Sequence, residues 1–138
     1  MKGVVSMYNN KKINYSILLK SATRVRERSY SPYSKLKIGA AVLTKTGKVF
    51  TGTNVENASY GLTICAERVA VFNAVTAGEK EIIAVAIAGP KGKPVPPCGA
   101  CRQVLSEFGC DVSILFPAKN GKYIEKKLSE LLPDSFGK

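Results

Sequence analysis

Two stretches of this chain have residue types and spacing that could carry chemistry: Cys65-Ala66-Glu67-Arg68 and Pro97-Cys98-Gly99-Ala100-Cys101-Arg102-Gln103. Cys98 and Cys101 stand three apart, so one helical turn presents both thiols on one face. Each stretch is expected to open a helix, and the positive end of a helix lowers the pKa of a nearby thiol. Three thiolates converging from two helix ends would suit one tetrahedral zinc ion and leave its fourth position for water. That is the arrangement of a catalytic rather than a structural zinc. Glu67 follows Cys65 by two residues. On a helix it cannot point the same way as Cys65, so it suits a general acid and base beside the metal better than a ligand. Arg68 lies three after Cys65, on its face. A zinc ion with three thiolates carries a net charge of about −1 by ionic counting. A guanidinium donating to the sulfurs would offset that excess.

The cysteines have plainer readings. Buried thiols are ordinary core residues, and a lone C-x-x-C fits a redox motif or half a zinc ribbon. A ribbon would need a second C-x-x-C, which the sequence lacks. Cys110 has no partner motif and reads as a small buried residue. Asn54-Val55-Glu56 is a second polar constellation. Alternate residues at a strand end point the same way, so an amide and a carboxylate can meet one hydroxyl. Turn chemistry explains the asparagine alone but not the carboxylate.

The elements that must position these groups are legible in the apolar pattern. Ile13 to Arg28 shows helical spacing, ended by Ser31-Pro32-Tyr33-Ser34. Leu36–Leu43 and Val49–Val55 read as a hairpin across Lys45-Thr46-Gly47-Lys48. Ile64–Ala77 reads as a helix stopped by Gly78, and Glu81–Ala88 as a strand buried on both faces. A Gly/Pro/Lys loop over 89–97 leads to a helix over Cys98–Phe108, ended by Gly109. Val112–Phe116 is a strand, and Asn120-Gly121 turns the chain into Tyr123–Lys127. Ser129–Leu132 reads as a terminal helical turn. This order predicts an α/β fold: three layers, α/β/α, around a mixed sheet of about five strands. No glycine-rich phosphate loop follows a strand. We expect one domain over residues 1–138.

Composition sets the outer bounds. There are 21 basic against 10 acidic residues, a net charge of +11, in a chain that is 45% hydrophobic. The lysines are dispersed rather than run together, so they read as a solvated surface and not as a nucleic-acid footprint. No apolar run approaches the roughly 20 residues of a membrane-spanning helix. The start shows no sustained apolar region, so we expect no secretory signal, a cytoplasmic location and reduced thiols.

With these residues in place, the chain resembles the small cytidine deaminases of pyrimidine salvage. The resemblance runs from about Tyr30 to Phe136. It is carried by Ser31-Pro32-Tyr33-Ser34, Ile38-Gly39-Ala40-Ala41, Gly52 through Tyr60, Thr63 through Arg68, Pro97 through Phe108, and Glu130-Leu131-Leu132-Pro133 with Phe136. The spacing C-x-E with P-C-x-x-C is that of zinc deaminases, cysteine standing for their first histidine. The resemblance implies hydrolytic deamination of cytidine and 2′-deoxycytidine with Zn²⁺ held by Cys65, Cys98 and Cys101, and Glu67 moving protons. It places Asn54 and Glu56 on the ribose 3′-hydroxyl and the Ala66 backbone on the pyrimidine carbonyl. The carbonyl of Pro97 or its neighbour would face the 4-amino group. Leu36 stands where the family usually has a phenylalanine packed on the pyrimidine. Leucine keeps that surface apolar without aromatic stacking, worth roughly 0.5–1.5 kcal/mol beyond area. The family is typically a homotetramer, with Tyr60 and Phe136 approaching a neighbour's site. The expected partner is a small nucleoside, not a nucleic acid or a membrane. Two other readings stand beside it: a deaminase for another aminated ring such as blasticidin S or a nucleic-acid base, and a non-catalytic zinc module holding RNA.

Overall fold

The computed structural model describes residues 13–137. In chain order these form α1 (Tyr15–Val25), β1 (Gly39–Thr44), β2 (Val49–Thr53), α2 (Ala66–Thr76), β3 (Ile82–Ala88), α3 (Gly99–Phe108), β4 (Ser113–Pro117), β5 (Tyr123–Lys127) and α4 (Leu128–Leu131). The five strands make one sheet in the order β2-β1-β3-β4-β5. β3 and β4 are parallel and the other pairs are antiparallel. Two connections cross the sheet: α2 carries the chain from β2 past β1 to β3, and α3 joins the parallel pair β3 and β4.

Strand alternation sorts the core into two layers. Ala40, Val42, Val85 and Ile87 pack with Ala70, Val71 and Ala74 of α2 and Leu105 of α3. The intervening residues Ala41, Leu43, Ala84, Ala86 and Ala88 pack with Leu18 and Ala22 of α1. The result is helix, sheet, helix in three layers around a mixed five-stranded sheet, as the pattern predicts. β3 is buried on both faces, which explains its unbroken apolar run. The α1 side of the sheet is built mainly from alanine, which lets α1 lie close to the strands.

The same economy of volume seats α2. A Cβ on Gly52 of β2 would lie 2.4 Å from the Ala70 nitrogen and 2.8 Å from the Ala66 carbonyl oxygen. Glycine at 52 therefore sets how near the first turns of α2 approach the sheet. At the other end of α2, Gly78 takes φ +93°, the left-handed conformation that ends a helix at low cost. The β4–β5 turn is also as expected from Asn120-Gly121, with Asn120 at φ 69°.

The boundaries differ from expectation where side chains intervene. Residues 36–38 do not pair as strand; β1 begins at Gly39. Residues 26–28 tighten into a 3-10 turn after α1. Cys110 is a correction of another kind. It is exposed, because it sits in the irregular turn between α3 and β4, beside Asp111 at φ 59°.

Candidate active site

Cys65 and Cys98 are the N-cap residues of α2 and α3. Their sulfurs lie 3.6 Å apart, so two helix N-termini converge as the spacing predicts. Cys101, one turn into α3, is buried, with its sulfur 3.4 Å from that of Cys98. All three sulfurs fall within 4.8 Å of one another. Tetrahedral zinc–thiolate bonds of about 2.3 Å put neighbouring sulfurs about 3.8 Å apart. The donor set, all soft sulfur at that spacing, fits zinc. The fourth donor direction is left without a protein ligand among the described residues.

The electrostatics favour a thiolate at Cys65. The Cys101 thiol donating to Cys65, with Arg68 and Cys98 beside it, holds Cys65 down to about 5. The same hydrogen bond, with burial, pushes Cys101 up. A divalent cation removes this competition by replacing the shared protons. Arg68 Nη2 donates to Cys65 Sγ at 3.5 Å, and that contact raises the arginine's own pKa. Arg68 Nε is buried and finds no acceptor among the described residues. An unmatched cationic donor at this point is suited to an anionic metal–thiolate cluster.

Glu67 is 4% exposed. It lies near Cys65 and Cys101, and burial pushes its carboxyl up to about 7, the negative Cys65 adding to the rise. A carboxyl poised near neutrality can both hold and release a proton, the requirement for an acid–base group. Ala66 is the first residue of α2 and fully buried. Its N–H is one of the four helix-opening donors with no partner inside the helix.

Asn54 and Glu56 follow β2 and are both buried. The segment between them is clamped: Tyr30 pairs with Val55 on one side and Ile64 on the other. Asn54 Nδ2 donates to the Leu36 carbonyl at 2.7 Å, and Asn54 Oδ1 accepts from the Ile38 N–H at 3.0 Å and from the Ser29 hydroxyl. Glu56 Oε1 accepts the N–H groups of Tyr33 at 2.9 Å and Ser34 at 3.1 Å, and Oε2 accepts the Ser34 hydroxyl. These bonds, the Ser34 hydroxyl foremost, hold the Glu56 carboxyl below its ordinary range. Both side chains therefore fasten the 29–38 segment, a role the alternation argument did not reveal.

Leu36 is 38% exposed on that segment. Tyr60 and Phe136 are exposed at 59% and 86%. Tyr60 meets the Tyr33 ring edge-on at 6.4 Å, and the Phe136 carbonyl accepts from Gln103 Nε2 at 3.2 Å. Within one chain neither aromatic is packed in the core. The Pro97 carbonyl accepts from Arg102 Nε at 2.7 Å. Ser29, Ser34 and Arg102 escaped the sequence reading. Their only signal is adjacency, Arg102 to a cysteine and the serines to a proline break, and adjacency does not name a partner.

Comparison with known proteins bears directly on this site. The family described as the cytidine and deoxycytidylate deaminase zinc-binding region matches residues 12–116. A cytidine deaminase from Halalkalibacterium halodurans is 47% identical over 121 residues, 87% of this chain and 92% of the relative. A more distant relative, the blasticidin-S deaminase of Bacillus cereus, is 33% identical over 108 residues, 72% of this chain and 76% of its own. Among solved structures, cytidine deaminase from Burkholderia pseudomallei superposes with a TM-score of 0.83 at 44% identity, covering 90% of this chain and all of that one. The family model and these relatives alike span most of the chain, and on that ground the chain belongs to the cytidine deaminase family, whose zinc-binding region it matches.

Proposed function

We propose that this protein hydrolyses the exocyclic amino group of free cytidine and 2′-deoxycytidine, giving uridine or 2′-deoxyuridine and ammonia, in pyrimidine salvage. The observation that carries the reading is the burial of Glu67 beside a three-sulfur cluster formed by two helix N-termini.

Cys65, Cys98 and Cys101 would hold the zinc, with Arg68 offsetting the thiolate charge. Zinc, when bound, supplies the Lewis acidity that makes water a nucleophile near neutral pH. Glu67 takes a proton from the attacking water and delivers it to ring N3 as the C4–O bond forms. It then carries the second water proton to the 4-amino group, and the C4–N bond breaks to release ammonia. Burial, which raises the Glu67 carboxyl, suits it to both transfers. The Ala66 N–H is offered to the pyrimidine carbonyl, and the carbonyl of Pro97 or its neighbour to the 4-amino group. Leu36 gives the base an apolar surface.

Asn54 and Glu56 are the proposed sugar contacts. A carboxylate only accepts hydrogen bonds, so the 3′ position must offer a hydroxyl. A 3′-phosphodiester offers none and brings like charge, which argues for a free nucleoside despite the net charge of +11. The protein is proposed to be a single-domain cytoplasmic homotetramer. Tyr60, Leu62 and Phe136 are large apolar side chains left exposed on one chain, as an interface would require. No helix of the described residues is long and apolar enough to cross a membrane.

The test is the ultraviolet change from cytidine to uridine, with and without chelator, beside 2′-deoxycytidine, 3′-deoxycytidine, blasticidin S and a cytosine-bearing single-stranded oligonucleotide. Chelator-sensitive turnover of the first two supports the reading. Oligonucleotide turnover comparable to cytidine, or turnover of blasticidin S alone, overturns it.

A further inference from the structure

Cys98 ends a segment with few means of holding its own shape. Residues 89–97 contain four prolines, at 90, 94, 96 and 97. Pro96 and Pro97, immediately before the cysteine, have no N–H to donate. The Val95 N–H bonds the Pro117 carbonyl at 2.8 Å, and two residues of chain then run to Cys98. At that point a side chain supplies the restraint. Arg102 Nε donates to the Pro97 carbonyl at 2.7 Å, and the Arg102 backbone N–H donates to the Cys98 carbonyl at 3.0 Å.

The other branch of the same guanidinium is anchored elsewhere. Arg102 Nη1 donates to the Leu131 carbonyl at 2.8 Å. Leu131 ends α4, which is itself fastened. The Leu128 N–H bonds the Val112 carbonyl at 2.8 Å. The Ser129 N–H bonds Asp111 Oδ1 at 2.9 Å, and Glu130 Oε1 accepts from the Lys127 N–H at 2.8 Å. One planar fork thus ties the residue before Cys98 to a fixed helix at the far end of the sequence. The half-buried guanidinium offers several donors in a rigid geometry, which a lysine ammonium does not reproduce.

We propose that Arg102 is a positioning residue for the metal site: it fixes the approach of the chain to Cys98 by bridging Pro97 to α4, and so slows release of zinc. The inference rests on Cys98 being a zinc ligand. Arg102 touches neither metal nor substrate; it acts through Cys98.

The experiment measures zinc release from the loaded protein to a colorimetric chelator, with thermal melting of each variant alongside. Arg102→Gln is expected to release zinc at least about tenfold faster, the scale typical of residues that orient metal ligands. Arg102→Lys is expected to fall between Arg102→Gln and the native protein, and it carries the test if Arg102→Gln does not fold. Leu18→Ala cuts a buried contact of α1 on the opposite face of the sheet. It is expected to lower the melting temperature while zinc release stays native. Release from both Arg102 variants at the native rate overturns the proposal, as does equal acceleration in Leu18→Ala, because zinc loss would then report only general stability. Cys98→Ala separates the two levels of the argument. If it keeps full zinc content, the ligand assignment itself fails. If it loses zinc while the Arg102 variants do not, the assignment stands and only the positioning role falls.

Discussion

The Asn54 side-chain amide donates to the Leu36 carbonyl at 2.7 Å, while its oxygen accepts from the Ile38 N–H at 3.0 Å. One buried side chain therefore holds the backbone on both sides of Lys37. Asn54→Asp keeps the acceptor for Ile38 but turns a second oxygen on the Leu36 carbonyl. Loss of this partly buried hydrogen bond costs about 0.5–1.5 kcal/mol. We expect a lower melting temperature and a higher KM for cytidine, because the segment carrying Leu36 loosens. Unchanged melting and KM would show that this amide is dispensable.

Glu56 sets a pH dependence whose sign is fixed by its surroundings. The Ser34 hydroxyl, followed by the backbone N–H groups of Ser34 and Tyr33, lowers the folded-state pKa below the ordinary value of 4.5. A group so lowered contributes stability that is present above its unfolded pKa and is lost as pH falls through the folded value. Ser34→Ala removes the largest of these influences, so the Glu56 pKa should rise and acid should weaken the protein at a higher pH than before. Carbon-detected NMR titration of the Glu56 carboxyl reads this directly, and an unmoved midpoint would refute it.

For Glu67, the informative change is to glutamine, which retains size and polarity but cannot carry protons. Turnover should fall by at least the roughly 10²–10⁴ typical of acid–base groups. Zinc content should stay native, since the metal is assigned to the sulfurs. Rapid turnover in Glu67→Gln would remove the residue from the proton path.

Arg68 donates to Cys65 at 3.5 Å from the same first turns of α2. Arg68→Ala leaves the thiolate charge without its nearest cation, and zinc affinity should fall about 10–100-fold. Competition with a chelator of known affinity measures this. Native affinity would return Arg68 to a packing role.

Gly52 is the steric test of how α2 is seated. A methyl group at this position would meet the Ala70 nitrogen at 2.4 Å, so Gly52→Ala must push α2 away from β2. Overpacking of this kind costs about 1–3 kcal/mol. Because Cys65 caps that helix, zinc content should fall together with the melting temperature. A variant with native metal content would mean that α2 tolerates the shift.

Much of this molecule is determined by local pattern. Cys65, Glu67 and Arg68 lie at fixed spacing on one helix and Cys98 and Cys101 on another, so directions within each set follow from helix geometry, while the meeting of the two helix ends is a tertiary outcome. The unbroken apolar run of β3 and the turn at Asn120-Gly121 are likewise local, since burial on both faces and a positive φ each demand particular residue types. What only the tertiary structure decides is which distant groups meet. The use of Asn54 and Glu56 to fasten residues 29–38 depends on strand β2 ending beside that segment. The bridge from Arg102 to Leu131 joins residues 29 positions apart. Cys110 is exposed because the turn at Asp111 directs the chain, not because of its own chemistry. Hydrogen bonds between distant segments leave no periodic trace in a sequence, because the backbone groups that serve as partners recur along the whole chain and only the folded path selects the pair.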